Sequence, residues 1–183
     1  MIEVIDNFLP QESFDELSKF LLPAMSVEEE VHQEACLWKL SRVVDNPNTK
    51  SNNLQLVHDF TVLPTFERIE KTFCGPLNIV TLLRAKANIT FNSPHLLEHG
   101  MHVDVEGIDH VPVKTGILYL NTCDGYTLFE NGRIIRSIAN RYVEFDCSIR
   151  HTGTTTTDQP YRAVINLNYI PHNYFPVVNK NRY

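Results

Sequence analysis

YRAVINLNYI, residues 161–170, is dense in β-branched and aromatic side chains, the composition of a half-buried strand. Successive side chains on a strand point to opposite faces. Ala163, Ile165 and Leu167 therefore form one face, and Arg162, Val164 and Asn166 the other. The first face is wholly apolar and is expected to pack against helices. Arg162 then points the other way, into a barrel interior. An arginine in that position needs a buried anion, and its planar fork suits a carboxylate held by two parallel hydrogen bonds.

Outward from this strand, most of the chain reads the same way. ACLWKLSRVV (35–44), LQLVHDF (54–60), NIVTLLRAKANITF (78–91), KTGILYLN (114–121), YTLF (126–129), RIIRSI (133–138) and RYVEFD (141–146) are strand-like runs broken by Asn, Gly, Asp and Pro. Residues 10–22 read as a helix, with Pro10 in the first turn and Phe14, Leu17 and Leu21 on one face. Residues 64–74 read as a second helix, ended by Gly75-Pro76. The expected fold is mainly β with flanking helices, a sandwich or jelly roll with the helices outside it.

The 183 residues suggest one domain. Its expected parts are N-terminal support over 1–76, a β core over 77–170 and a tail over 171–183 that wraps the outside. The net charge of −6 argues against a surface that grips nucleic acid. No apolar run reaches the ~18 residues that span a bilayer, and no signal peptide is legible. The four cysteines form no CxxC pair, so a reducing cytoplasm is expected. An oligomer is possible.

HVD, residues 102–104, carries the candidate chemistry. His102 and Asp104 stand at i and i+2, so on an extended segment they share a face. With a third ligand from a distant strand they make the two-histidine, one-carboxylate triad of non-haem Fe(II). His151, in FDCSIRHTGTTTT, is the candidate. Co(II) and Mn(II) suit the same ligands. A rival set is His95, His99 and His102, which on one helix face could hold zinc. Pro94, Gly100 and the following VDV disfavour that helix, and His95, His99 and His110 are instead expected on a loop at the site entrance. Glu106 and Asp109 read as solvated loop acids. GTTTTDQ reads as a polar hairpin rather than a phosphate cradle.

Together HVD, GILYLN (116–121), GYTLFENGR (125–133), NRYVEFDCSIRHTG (140–153) and YRAVINLNY (161–169) resemble the Fe(II)/2-oxoglutarate-dependent oxygenases, in particular the prolyl-4-hydroxylase-like branch. IEVIDNFLPQESFDEL (2–17) and LLRAKANITF (82–91) extend the resemblance over nearly the whole chain. It implies a double-stranded β-helix of cupin-like form. It implies Fe(II) on His102, Asp104 and His151, 2-oxoglutarate as co-substrate and O2 as oxidant. It places Arg162 and Tyr119 on the co-substrate's far carboxylate, with Asn88, Thr90 and Val164 beside them. The implied activity is hydroxylation of a peptidyl proline, another residue or a small molecule, with decarboxylation of 2-oxoglutarate to succinate. Many relatives carry Ser or Thr where this chain has Val164; Tyr119 or a threonine near Thr154 is the expected replacement. Nucleic-acid demethylases of similar chemistry typically have a second arginine later on the arginine strand, where this chain reads INLNYI. The alternative of another class is a jelly-roll metal- or ligand-binding module without oxygenase activity.

Overall fold

The computed structural model describes residues 1–22, 38–43, 46–47, 54–61, 65–106 and 111–172. The tail after residue 172, residues 35–37 of the first expected strand, and Asp109 and His110 lie outside them.

Ten strands form two sheets among the described residues. They are β1 (Ile2–Ile5), β2 (Lys39–Arg42), β3 (Leu54–Asp59), β4 (Ile79–Phe91), β5 (Lys114–Tyr119), β6 (Tyr126–Phe129), β7 (Ile134–Arg136), β8 (Tyr142–Asp146), β9 (His151–Gly153) and β10 (Tyr161–Pro171). The large sheet has the order β1-β8-β5-β10-β4-β3-β2 and the small one β7-β6-β9. All ladders between the named strands are antiparallel. Single bridges Glu98↔Thr154 and His102↔His151 lay the segment before and through HVD along β9, on the free edge of the small sheet.

β10 is the spine. It pairs with β4 along one side and β5 along the other, so both of its edges are satisfied and both of its faces are covered. On one face Ala163, Ile165 and Leu167 join Ala85, Ala87 and Ile89 of β4 and Leu118 of β5 in a single core. That core also takes Phe14, Leu17 and Leu21 of the helix α1 (Gln11–Leu21) and Ile69 of α2 (Phe66–Ile69). Beyond α2 the backbone widens into a π-helical turn over Glu70–Cys74, which buries Phe73. The apolar face of β10 thus packs on the helices as the alternation requires.

On the opposite face Ile117, Tyr119, Val143, Phe145 and Val164 meet Phe129 and Ile135 of the small sheet. This is the inter-sheet core of a jelly roll. It fills only part of the space between the sheets. The polar remainder of that face lines a cavity.

Two glycines permit close approaches. A Cβ at Gly116 would stand 2.0 Å from the Tyr142 hydroxyl, and one at Gly125 would stand 2.7 Å from both Arg162 Cδ and the Thr155 carbonyl oxygen. The 154–158 run is not a surface hairpin. Thr154, Thr155 and Thr156 are buried, and the segment links the small sheet to β10. Asp124 anchors it by accepting from the Thr156 hydroxyl at 2.8 Å and the Thr157 amide at 2.9 Å. Among the described residues no helix is long and apolar enough to cross a membrane.

Candidate metal centre and its cavity

His102, Asp104 and His151 come together. Their ligand atoms all lie within 4.8 Å of one another. Asp104 Oδ1 is 3.9 Å from His102 Nε2, and Oδ2 is 3.8 Å from His151 Nε2. Donors on adjacent positions of one metal, each bonded at about 2.0–2.2 Å, stand about 3 Å apart. The separations here are wider by about 1 Å or more, and small turns of the side chains would close the set on a first-row divalent ion.

The rings are also turned the right way. His102 Nδ1 is 2.9 Å from the Gly100 carbonyl and His151 Nδ1 is 3.2 Å from the Ile149 carbonyl. Each Nδ1–H donates to its carbonyl, which leaves both Nε2 lone pairs facing the shared centre. Burial lowers the pKa of His151, with Asp104 opposing, so the ring stays neutral and able to ligate. Burial raises that of Asp104, but His151, Arg84, Lys86 and His102 together hold it below the ordinary carboxylate value.

The carboxylate is fixed by groups that the sequence reading passed over. Arg84 Nη2 donates to Asp104 Oδ1 at 2.7 Å, and Arg84 Nε donates to Asn168 Oδ1 at 3.0 Å. Asn168 Nδ2 donates in turn to Thr115 Oγ1 at 2.9 Å and reaches Asp104 Oδ2 at 3.4 Å. The signal for Arg84 was present. Arg84, Lys86, Asn88 and Thr90 alternate with Ala85, Ala87 and Ile89 on β4, a polar face on a central strand.

A cavity of about 470 Å³ opens from this centre between the sheets. His102, His151, Asn88, Thr90, Arg162 and Val164 all line it. Arg162 is 5% exposed; its Nε donates to Ser137 Oγ at 2.8 Å and its Nη2 to Thr127 Oγ1 at 3.1 Å. Among the described residues no carboxylate lies within ion-pair distance of it. Tyr119 stands one step back. Its hydroxyl donates to Thr127 Oγ1 at 2.8 Å, its ring lies 5.4 Å from the Arg162 guanidinium, and it is absent from the cavity wall. Thr154 Oγ1 is occupied by the Tyr126 amide and the Thr155 carbonyl. A larger groove of about 620 Å³, between α1 and residues 65–76, contains none of these residues.

The histidines of HLLEHGMH do not share a helix. The segment is extended beside β9, with the His99 amide donating to the Gly153 carbonyl at 3.0 Å. His95 is exposed, as expected of an entrance loop. His99 is not on such a loop. It is 8% exposed and lines the cavity, because that backbone bond turns it inward.

No protein-family model and no curated protein matches the chain. Solved structures do. One is an oxidoreductase of the 2OG-Fe(II) oxygenase family from Burkholderia pseudomallei, at 10% identity and a TM-score of 0.63, covering 92% of this chain and 84% of that one. A second is a prolyl hydroxylase in complex with a hypoxia inducible factor peptide fragment, from Trichoplax adhaerens, at 18% identity, a TM-score of 0.60 and coverage of 94% and 84%. A third is HygX from Streptomyces hygroscopicus with nickel and 2-oxoglutarate bound, at 11% identity, a TM-score of 0.58 and coverage of 93% and 83%. With two facing antiparallel sheets, the triad at the edge of the small one and helices behind the large one, this chain has the double-stranded β-helix fold of the Fe(II)/2-oxoglutarate oxygenases.

Proposed function

We propose that this protein is an Fe(II)- and 2-oxoglutarate-dependent dioxygenase that hydroxylates a peptide residue or a small molecule. The observation that carries this reading is the convergence of His102, Asp104 and His151 at a cavity that both histidines share with the buried, carboxylate-free Arg162. A metal site at one end and an unmatched guanidinium at the other suit a dicarboxylate that chelates through one end and forms an ion pair through the other. Asn88, Thr90 and Val164 line the same space.

The residues divide the work. His102, Asp104 and His151 would hold Fe(II), and Arg84 with Asn168 keeps the Asp104 carboxylate ionised and aimed. Arg162, itself held by Ser137 and Thr127, fixes the co-substrate's far carboxylate, and Tyr119 holds Thr127 in place from behind. Bound iron supplies the redox chemistry: 2-oxoglutarate, O2 and a substrate C–H bond give succinate, CO2 and an alcohol, one oxygen atom entering succinate and the other the product. The protein's own contribution is positioning and the exclusion of water by the surrounding sheets.

The far wall is lined by Lys39, Arg42 and Lys86 against one acid, Asp59. Lys39 and Lys86 on that wall support a polar or anionic primary substrate. The free thiols Cys74, Cys123 and Cys147 support a reducing, cytoplasmic setting. The proposal is tested by succinate release from the Fe(II)-loaded protein with 2-oxoglutarate in air. Wild type should turn over slowly without a primary substrate, and His102→Ala should not. Equal release from both would refute it.

A further inference from the structure

The clamp on the far carboxylate is incomplete if Arg162 works alone. Val164, two residues on, brings a hydrocarbon side chain to the cavity wall. Among the hydroxyls near the arginine, Ser137 and Thr127 accept from it and keep their own O–H to donate, Tyr119 donates to Thr127, and Thr154 serves the backbone. The His99 ring is a further polar group beside Arg162. His99 Nε2 is fully buried and has no hydrogen-bond partner. An atom so enclosed cannot meet a ligand in the cavity; a proton on it would stay unpaired at a cost on the order of 1–3 kcal/mol, so the N–H belongs on Nδ1, the nitrogen nearer the cavity.

Its place is fixed by a missing side chain. Gly153 follows His151 at i+2, so a side chain there would share the cavity face of β9. A Cβ at Gly153 would stand 3.1 Å from Arg162 Nη1 and 3.9 Å from His99 Nδ1. The space that Gly153 leaves is therefore bordered by the guanidinium on one side and the His99 ring on the other. His99 does not belong to the metal set, whose close ligand atoms come from His102, Asp104 and His151. Burial, together with the neighbouring Arg162 and His102, lowers its pKa to about 4. At neutral pH it is an uncharged ring with one N–H to donate.

We infer that His99 donates its Nδ1–H to the far carboxylate of 2-oxoglutarate beside Arg162, as a further partner where Val164 supplies none. The inference rests on the proposed co-substrate. It makes His99 a binding residue drawn from the segment before HVD rather than from the arginine strand.

The test is anaerobic calorimetric titration of Mn(II)-loaded protein with 2-oxoglutarate and, separately, with 2-oxopentanoate, which keeps the chelating end and lacks the far carboxylate. His99→Leu should weaken 2-oxoglutarate by about ten- to a hundredfold, the range for a hydrogen bond to a charged group, and leave 2-oxopentanoate unchanged. His99→Gln, which retains an N–H donor, should recover most of the affinity. Wild-type affinity for 2-oxoglutarate in His99→Leu would overturn the inference. So would an equal loss for both keto acids in both variants, which would mark a structural role. Failure of the wild type to bind either keto acid would overturn the proposed function as well.

Discussion

At the metal end of the cavity, His102 and His151 are each oriented through Nδ1 by a backbone carbonyl, and Asp104 is gripped by Arg84 and Asn168. At the arginine end, Arg162 rests on two neutral hydroxyls, with no carboxylate among the described residues within ion-pair distance. The first end is organised by the protein's own hydrogen bonds. The second leaves a cation to be matched by whatever binds. On the proposed function, a site built this way would hold its ion in fixed geometry and draw affinity for the organic ligand from a cation poorly satisfied without it.

Substitutions can break this contrast, beginning with the largest effect. Asp104→Ala removes the one anionic ligand and leaves Arg84 unpaired; iron-dependent succinate formation should fall to background. Arg162→Leu should leave metal binding intact and weaken 2-oxoglutarate by roughly 2–5 kcal/mol, the range for breaking a buried charge pair, read by calorimetry on the Mn(II) protein. If Arg162→Leu instead lost the metal, the two ends would not be independent. Arg84→Leu should lower metal affinity by about 10–100-fold, the usual effect of removing a partner that orients a ligand, while the affinity of metal-saturated protein for 2-oxoglutarate changes little.

Two smaller effects concern the frame that carries both ends. Gly116→Ala drives a methyl into the Tyr142 hydroxyl and should cost about 1–3 kcal/mol in urea unfolding, as overpacking does. Asp124 lies on the loop joining the sheets. Burial raises its pKa, but the Thr157 and Thr156 hydrogen bonds outweigh this and lower it to about 2. A folded pKa below the ordinary 3.8 means its stabilisation is fully present above about pH 4 and is lost as pH falls towards 2. Asp124→Ala should cost about 1–2 kcal/mol at neutral pH and flatten the acid limb of the stability profile.

What the sequence disclosed follows from strand periodicity. The alternation in YRAVINLNYI placed Arg162 and Val164 in the cavity and Ala163, Ile165 and Leu167 on the helices, and the i, i+2 spacing of HVD placed two ligands on one side. The same alternation held Arg84 and Lys86 on β4, yet only Asn88 and Thr90 of that face were taken up. Arg84 reads as an ordinary surface arginine until Asp104, 20 residues later in the chain, is folded against it. His99 was harder. HLLEHGMH has no period, and its inward turn depends on a backbone bond to Gly153 that composition does not encode. Tyr119 was expected on the co-substrate itself; its hydroxyl donates instead to Thr127 of the facing sheet and it is absent from the cavity wall, a contact between sheets that strand periodicity does not encode.

The central claim is that one cavity binds iron and 2-oxoglutarate together, and it can be tested without knowing the primary substrate. Fe(II) and then 2-oxoglutarate are added anaerobically to the purified protein, with His151→Ala as the control, and the visible spectrum is recorded. The account predicts a weak metal-to-ligand charge-transfer band in the wild type alone. Absence of the band from folded wild-type protein, or its persistence in His151→Ala, would contradict it.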